Sequence, residues 1–466
     1  MPGALLIRRA ELLDGRIVDL RIRDDRIAEI GVFGGGEGEQ VIEAGGGVLL
    51  PGLHDHHVHV AATAVALDSV KCGPPEITDE AGLAAVLGRP GEGWLRGIGY
   101  HESVTGRLID RRWLDGAAPH RPVRVQHRTG RLWVFNSAGL ALLRAAGLPL
   151  PEGLDAASGQ LFDDDGWLRR ALGGTPPSFA VVGAEYARFG VTGVSEMSPG
   201  NGPAEAAHFA REQARGALPQ RVLLAGKLAL GESGFGPALA LGAVKIHLHE
   251  AQLPDFDEVV ASMRAAHGQD RVVAVHCVTV TELVFTLAAL REAGVRRGDR
   301  IEHASVTPDE QLREMAELGL AVVVQPHFVA ERGDEYLADI APEEWPHLYR
   351  LRAFRAAGAT MAGGSDTPFG AADPWAAMAA AVSRRTRRGQ MLGPGEALSP
   401  EEALDLFLAD PVELGRIRRI EVGAPADLTL LAKPWRAARE RLSADLVKAS
   451  LIGGRLVYNR VDQPPV

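Results

Sequence analysis

Three histidines and one aspartate lie within the five-residue segment DHHVH, at positions 55–59. The segment directly follows the apolar run VLLPGL, which is typical of a buried strand. Alternate residues of a strand face the same side, so we expect His57 and His59 to project together with Asp55 behind them. Imidazoles this close repel each other when protonated, whereas two neutral ones can share a metal ion. The alternative is a group of surface histidines such as an affinity tag, but a tag would lie at a terminus without a preceding core strand.

Four further ionisable residues stand at the ends of apolar, strand-like runs. Lys245 follows GAV, His276 follows VVAV, His303 ends RIEH and Asp366 ends MAGGSD. In barrels of parallel strands the active site is assembled at this end of the strands. Each residue alone could be structural, since a lone histidine commonly packs in the core and a lysine commonly extends to water. Together, histidines and a carboxylate at successive strand ends suit zinc or a similar divalent ion.

The elements that would position these residues alternate between short apolar runs and amphipathic stretches of helical length, which is the pattern of a parallel α/β fold. Eight apolar runs are strand candidates: GVLLPGLHD, GVTGVSEM, QRVLLAG, GAVKIHL, RVVAVHC, RIEHAS, LAVVVQPHF and GATMAGGSD. Eight is the number of strands that closes a TIM (β/α)8 barrel. We therefore predict such a barrel over residues 48–414.

Two other regions do not fit the barrel. Roughly 120 residues separate the first two strand candidates, which is too many for a barrel loop. They contain the strand-like runs WLRGIGY and RPVRVQHR and the helical run NSAGLALLRAAG, so we predict an inserted α/β subdomain at about residues 68–180. Residues 1–47 and 415–466 are rich in short β-type runs, and each region alone is too small to bury a sheet face. We predict that these two terminal regions form one composite β-sandwich domain.

The composition of the chain narrows the class of protein. Of 466 residues, 46% are hydrophobic and 24% are charged, which excludes wholesale disorder. The two cysteines, Cys72 and Cys277, exclude a disulfide framework and a zinc site built on cysteine pairs. A formal net charge of −10 argues against a nucleic-acid partner. No apolar run reaches roughly 18 residues and the N-terminus lacks a signal-peptide core, so we expect no membrane partner and a cytoplasmic protein, with a homo-oligomer left open.

The chain resembles the metal-dependent amidohydrolase superfamily in an ordered set of motifs: PGLHDHHVH, the strand-four Lys245, VAVHC, RIEHAS and GGSDTPFG. More narrowly, it is similar to the amidohydrolase-3 branch, which includes N-substituted formamide deformylases. The segments that carry this similarity are WLRGIGYHES, NSAGL, RIEHASVTPDEQLREMAELGLAVVVQPHF and PEEALDLFLADPVELGRIRRIEVGAPADLTLL. The resemblance covers nearly the whole chain, and it implies a TIM barrel beside a small β-sandwich made from both termini.

The resemblance also implies a set of metal ligands. His57 and His59 would hold one divalent ion, His276 and His303 would hold a second, and Lys245 would bridge the two after carboxylation by CO₂. A lysine can serve here only in this modified form, because a cationic ammonium would repel metal ions. We therefore expect one or two divalent ions, with Zn²⁺ as the first choice.

Asp366 is implied as both a ligand and the proton shuttle. It would accept a proton from the coordinated water and pass it to the leaving nitrogen, while a metal-bound hydroxide attacks the substrate carbonyl. We expect the barrel to place Asp366 opposite His57 and His59 across its mouth. The predicted function is hydrolysis of a non-peptide, amide-type C–N bond in a small molecule. The alternatives are a deaminase or cyclic-amide hydrolase of the same superfamily, and a non-catalytic relative that binds a metal or a small molecule.

The sequence departs from the branch at positions where substrate would be chosen. Relatives carry Gly-Asp after the strand-five histidine, where this chain reads CVTV, and Asp-Gly after the strand-four lysine, where it reads HLHE. His247 and His249 share a face with Lys245, so either could add to or replace a metal ligand, or could instead face the substrate. His327, which follows the seventh strand candidate, either faces the substrate or is an ordinary loop histidine.

Overall fold

The computed structural model describes residues 5–36, 38–74, 76–173 and 176–460. Contacts within these residues divide the chain into two compact units. One unit is formed by the described parts of Met1–Val60 and Phe179–Val466, and the other by those of Ala61–Ser178.

The strands and helices of both units are numbered along the chain. The strands of the described residues are β1 (Leu5–Glu11), β2 (Ile17–Arg23), β3 (Arg26–Gly31), β4 (Gln40–Glu43), β5 (Leu49–Pro51), β6 (Leu53–Val58), β7 (Val70–Lys71), β8 (Leu95–Tyr100), β9 (Val123–His127), β10 (Leu132–Phe135), β11 (Leu154–Asp155), β12 (Gln160–Phe162), β13 (Val191–Glu196), β14 (Arg221–Gly226), β15 (Leu239–His247), β16 (Val273–Cys277), β17 (Arg300–His303), β18 (Ala321–Val324), β19 (Thr360–Gly363), β20 (Leu428–Leu431), β21 (Val447–Ile452) and β22 (Arg455–Asn459). The α-helices are α1 (Val60–Leu67), α2 (Glu80–Leu87), α3 (Arg111–Ala117), α4 (Ser137–Ala145), α5 (Asp165–Ala171), α6 (Ala180–Arg188), α7 (Pro203–Ala214), α8 (Phe256–Gly268), α9 (Val280–Ala293), α10 (Asp309–Glu317), α11 (His327–Asp339), α12 (Arg352–Ala356), α13 (Pro374–Ser383), α14 (Pro400–Leu408) and α15 (Trp435–Ala438).

An eight-stranded parallel sheet forms the centre of the first unit, in the order β6-β13-β14-β15-β16-β17-β18-β19. A parallel bridge joins Val58, the last residue of β6, to Thr367, which follows β19. This bridge brings the two edges of the sheet together, so the barrel is nearly closed. Each of these strands overlaps one of the eight predicted apolar runs, although β6 and β15 extend beyond theirs. Strands such as β18 are buried along their whole length, as strands of parallel sheets are. The predicted α/β class is confirmed. Between β14 and β15, a short 3-10 helix at Leu228–Glu232 stands where a regular barrel has an α-helix.

The first predicted barrel strand is divided in the structure. Its beginning, β5, pairs antiparallel with β20 in a different sheet, and only β6 belongs to the barrel. Gly52 lies between the two halves, and a Cβ there would come within 2.2 Å of the Thr192 side chain. Only glycine therefore fits where the chain passes from one sheet to the other.

Two four-stranded sheets contain the strands from the two ends of the chain. Their orders are β3-β2-β1-β4 and β22-β21-β20-β5. Side chains of both sheets meet in one apolar cluster that includes Leu20, Leu49 and Leu430. The composite β domain remains a prediction.

The second unit has a sheet of its own, in the order β11-β12-β10-β9-β8-β7. Its apolar side chains form two clusters, one around Tyr100 and Val125 and the other around Phe135 and Trp167. Asn136 caps α4, and Trp133 is buried in the second cluster. Among the described residues of both units, no helix is long and apolar enough to cross a bilayer.

We predict that Leu430→Ala lowers the free energy of unfolding by about 2–5 kcal/mol, because it leaves a cavity in the cluster shared by both terminal sheets. Urea unfolding followed by fluorescence and by circular dichroism measures this change. Val412→Ala is the control, since that side chain is 72% exposed and its truncation should change stability by at most about 0.5 kcal/mol. Equal stability of the two variants would contradict a common core for the terminal strands.

Candidate metal centre

A cavity of about 480 Å³ opens at the carboxyl ends of the barrel strands. One part of its wall is ionisable and consists of His57, His59, Lys245, His247, His249, His276, His303 and Asp366. The rest is mostly apolar and includes Val306, Phe328, Tyr336, Leu348, Tyr349 and Phe369. The structure thus brings every predicted metal ligand to one cavity, together with the predicted substrate-facing His249.

His57, His59 and Asp366 form the tightest group. Asp366 Oδ1 lies 3.4 Å from His57 Nε2 and 3.2 Å from His59 Nε2, and the three ligand atoms lie within 4.8 Å of one another. With metal–ligand bonds of about 2.0–2.1 Å, these two separations correspond to angles of about 100–115° at a shared ion, close to tetrahedral. The three side chains can therefore hold one ion with little rearrangement.

The position of Asp366 corrects the expectation that it lies opposite His57 and His59. Because the barrel closes between its first and eighth strands, Asp366 is their direct neighbour. The Asp366 amide donates to the His57 carbonyl at 2.7 Å, and the His59 amide donates to the Thr367 carbonyl at 2.9 Å. Two backbone hydrogen bonds thus fix the register between the three ligands.

The Nδ1 of His57 is held by a buried carboxylate. Glu302 is fully buried, and its Oε2 lies 2.5 Å from His57 Nδ1, while its Oε1 accepts from Arg300 Nε at 2.7 Å. Burial alone would raise the pKa of Glu302, but Arg300 and Lys245 hold that pKa well below its usual range. An ionised carboxylate only accepts hydrogen bonds, so Nδ1 carries the proton and the Nε2 lone pair faces Asp366.

His303 is oriented in the same way by an amide. Its Nδ1 lies 2.8 Å from Gln325 Oε1, and the Gln325 amide nitrogen donates to the Val323 carbonyl at 3.3 Å, which fixes the direction of the amide. Nδ1 of His303 is therefore the donor, and its Nε2 remains an acceptor. The ring lies 4.8 Å from that of His57 and 4.6 Å from that of His276, so the predicted ligands of both ions are neighbours.

The protonation states create an acceptor-to-acceptor contact. Burial lowers the pKa of His57 to about 3, so its ring is neutral at neutral pH. Burial would raise the pKa of Asp366, but contacts that include a hydrogen bond from His59 lower that pKa below its usual value, so the carboxylate is ionised. A lone pair of His57 Nε2 and a carboxylate oxygen thus face each other at 3.4 Å, an arrangement that a cation between them would satisfy. This donor chemistry fits a divalent ion.

Lys245 is buried close to these groups without a partner. Its side chain is 6% exposed, and Nζ has no hydrogen-bond partner among the described residues. Burial lowers its pKa to about 8. A buried ammonium without an acceptor is costly, which favours the neutral amine or a modified form.

The backbone is strained at two of the predicted ligands. His303, with φ of 71°, and Asp366, with φ of 53°, both adopt the left-handed conformation, and so do Ala304 and Tyr349 beside the cavity. Such residues cost about 1–3 kcal/mol each and concentrate at functional sites. At these positions the placement of the side chain at the cavity therefore outweighs the cost of an unfavourable backbone conformation.

Two further histidines, His327 and His56, do not line the cavity wall formed by the described residues. The structure places His327 behind the cavity, as a buried residue whose Nε2 contacts the Ser365 carbonyl at 2.9 Å, and it is not among the described residues that line the wall. His56 is also buried, on the side of β6 away from the cavity ligands. Cys277, next to His276, is buried with its Sγ 3.2 Å from Thr286 Oγ1, and burial raises its pKa to about 12.

Sequence reasoning missed Glu302 and Gln325. Both residues orient a histidine that the sequence did predict as a ligand. Glu302 holds Nδ1 of His57, and Gln325 holds Nδ1 of His303. One signal was available for Glu302: Arg300 and Glu302 alternate with Ile301 on β17, a strand that is buried along its whole length, and charges on a buried strand need a partner. For Gln325 no comparable signal exists.

The comparisons with known proteins agree with this geometry. The chain matches the family model of the Amidohydrolase family over residues 40–458. It is 26% identical to an N-substituted formamide deformylase of Arthrobacter pascens, over 90% of each chain, and 26% identical to the putative amidohydrolase YtcJ of Bacillus subtilis strain 168, over 92% of each chain. An uncharacterized metal-dependent hydrolase from Pyrococcus horikoshii OT3 shares the fold, with a TM-score of 0.78 and 20% identity over 92% of this chain and 98% of that one. Because the family match spans most of its length, the chain belongs to the amidohydrolase family.

Proposed function

We propose that the protein hydrolyses a non-peptide, amide-type C–N bond in a small molecule, with one or two divalent ions, Zn²⁺ first among them. The observation that carries this proposal is the neutral His57 Nε2 facing the ionised Asp366 Oδ1 at 3.4 Å. A cation between these two acceptors would satisfy both of them. The relative named as an N-substituted formamide deformylase supports a C–N bond as the target.

His57, His59 and Asp366 would hold one ion, His276 and His303 would hold the second, and a carboxylated Lys245 would be a ligand of both. A divalent ion in such a site polarises a carbonyl group and lowers the pKa of water towards neutrality.

Asp366 would accept and then donate the proton that is transferred in the reaction. It is ionised beside His57 and His59, so it can accept a proton from the attacking water. The protonated carboxyl can then donate to the nitrogen as the C–N bond breaks. One side chain thus serves as base in the first step and as acid in the second.

Lys245 would become an anionic ligand through reaction with CO₂. The neutral amine nitrogen attacks the carbon of CO₂, an N–C bond forms, and one proton leaves, which gives a carbamate with a single negative charge. The buried Nζ without a partner supports this step, because the added carboxylate gains the metal ions as partners.

The apolar part of the cavity would bind the organic portion of the substrate. Phe328, Tyr349 and Phe369 line the wall, and Phe369 packs edge-on against His59 at 5.6 Å. An apolar group of the substrate can therefore lie beside the ligands while its C–N bond reaches the centre.

An activity screen tests the proposal. The Zn²⁺-loaded protein is incubated with N-formyl amines, N-acyl amines, cyclic amides and aminated heterocycles, and the products are identified. Release of an amine supports the proposal, release of ammonia indicates a deaminase, and ring opening indicates a cyclic-amide hydrolase. Tight Zn²⁺ binding without turnover of any class would favour a non-catalytic binding protein.

For Asp366→Asn we expect kcat to fall by about 10²–10⁴, because the amide keeps a coordinating oxygen but cannot accept the proton. Metal content should fall only modestly. Steady-state kinetics on any amide found in the screen, with metal analysis of the same samples, gives both values. Asp339→Asn, at an exposed position, is the control. A near wild-type rate for Asp366→Asn would rule out the proton-shuttle role.

For Lys245→Ala we expect loss of bound metal and of activity, with partial rescue by short-chain carboxylic acids that fill the place of the carbamate. In wild-type protein equilibrated with ¹³C-bicarbonate, ¹³C NMR should show a carbamate signal that Lys245→Ala lacks. Lys227→Ala, at an exposed lysine, should keep both metal and signal. Full metal retention in Lys245→Ala would instead indicate one ion held by histidines and Asp366.

For Glu302→Gln we expect Zn²⁺ affinity to fall by about 10–100-fold, because the neutral amide no longer fixes the His57 tautomer or raises its basicity. Competition with a chromogenic chelator measures the affinity. Glu310→Gln, at an exposed position of α10, is the control. Unchanged affinity in a folded Glu302→Gln protein would show that this carboxylate does not support the centre.

A further inference from the structure

The chain carries a second His-X-His segment at the mouth of the barrel. His247, Leu248 and His249 repeat the spacing of His57, Val58 and His59 at the end of another strand. Leu248 is fully buried, whereas His247 and His249 line the cavity. Alternation along the chain thus points both rings to the same side, as it does for the first pair.

The two rings of this second pair converge. His247 Nε2 and His249 Nε2 lie 3.1 Å apart, and the ring centroids lie 4.6 Å apart. With metal–nitrogen bonds of about 2.0–2.1 Å, this separation corresponds to an angle of about 95–102° at a shared ion, between the octahedral and tetrahedral values. The convergence matches what two ligands of one ion require.

A histidine group in the second unit provides a contrast. The Nδ1 atoms of His101 and His127 accept backbone amides, from Ser103 at 3.2 Å and Thr129 at 3.3 Å. Neutral rings with these acceptors carry their protons on Nε2, and His127 Nε2 donates to Glu102 at 2.8 Å. Although these groups are close enough for a metal ion, hydrogen bonds already satisfy them.

The rings of His247 and His249 have no such fixed tautomer. Within the part of the chain that the structure describes, neither of their Nδ1 atoms accepts a hydrogen bond from a backbone amide. The two side chains contact each other through their Nε2 atoms. Both Nε2 lone pairs are therefore available to one ion when Nδ1 of each ring carries the proton.

We propose that His247 and His249 together bind a divalent transition-metal ion, Zn²⁺ or a similar ion, in addition to the centre at His57, His59 and Asp366. The site goes beyond the proposed function, which does not use this pair. His247 stacks on His276 with centroids 4.3 Å apart, so the ion would lie beside the second predicted metal position and inside the substrate cavity. Two protein ligands leave coordination positions open for water or an oxygen atom of a substrate.

The number of Zn²⁺ ions per chain tests this site. The protein is saturated with Zn²⁺, weakly held metal is removed by gel filtration, and zinc is measured by mass spectrometry. We expect His247→Gln, His249→Gln and the double variant each to hold about one ion fewer than wild type, because one imidazole cannot retain the ion alone. His101→Gln/His127→Gln is the matched control, which removes two histidines and should keep the wild-type number.

Co²⁺ substitution separates this site from the main centre. We expect His57→Gln/His59→Gln to lose the ion of the main centre but to keep a Co²⁺ absorption band that disappears when His247→Gln is added. Circular dichroism confirms that each variant is folded. A double variant of His247 and His249 that holds as many ions as wild type would overturn the proposal, and so would loss of an ion from the control alone. In that case the 3.1 Å contact is an N–H···N hydrogen bond.

Discussion

Glu302 has no contact with solvent, yet Arg300 keeps it ionised and it binds the Nδ1 atom of His57. Arg300 is itself buried, and its Nη2 also contacts the His56 carbonyl and the Met197 sulfur. Removing one partner of such a pair costs about 3–5 kcal/mol, because the other charge is then left buried alone. The tautomer of His57, and with it the chemistry of the cavity, depends on this pair of charges in the barrel interior.

The closure of the barrel brings the side chains of the candidate metal centre together. The strand β6 carries His57 and ends directly before His59, and its edge meets the segment after β19, where Asp366 lies. The strand β17 lies two positions away from β19 in the sheet order, and its Glu302 reaches across the interior to His57. Three strands thus meet at one imidazole, and the left-handed backbone at Asp366 is stabilised by the bonds on both sides of it.

The sequence predicted those features of the fold and of the candidate site that depend on residues close together along the chain. Apolar runs of strand length identified all eight barrel strands, and ionisable residues at their ends identified the side chains that the cavity brings together. The role of Glu302 could not be predicted because its partner, His57, is 245 positions away along the chain. The division of the first strand at Gly52 depends on Thr192, another distant neighbour. The neighbouring position of Asp366 could have been foreseen, since the first and last strands of a closed barrel are always adjacent.

The division at Gly52 also bears on the order in which the protein can assemble. The strand β5 directly precedes the ligand strand β6, but its sheet partner β20 is made of residues 428–431. On the ribosome, β5 therefore cannot pair with β20 until residues 428–431 have been synthesised, more than 360 positions after His59. His57 and His59 are among the earliest residues of the site to emerge, and they are among the last to be held in place.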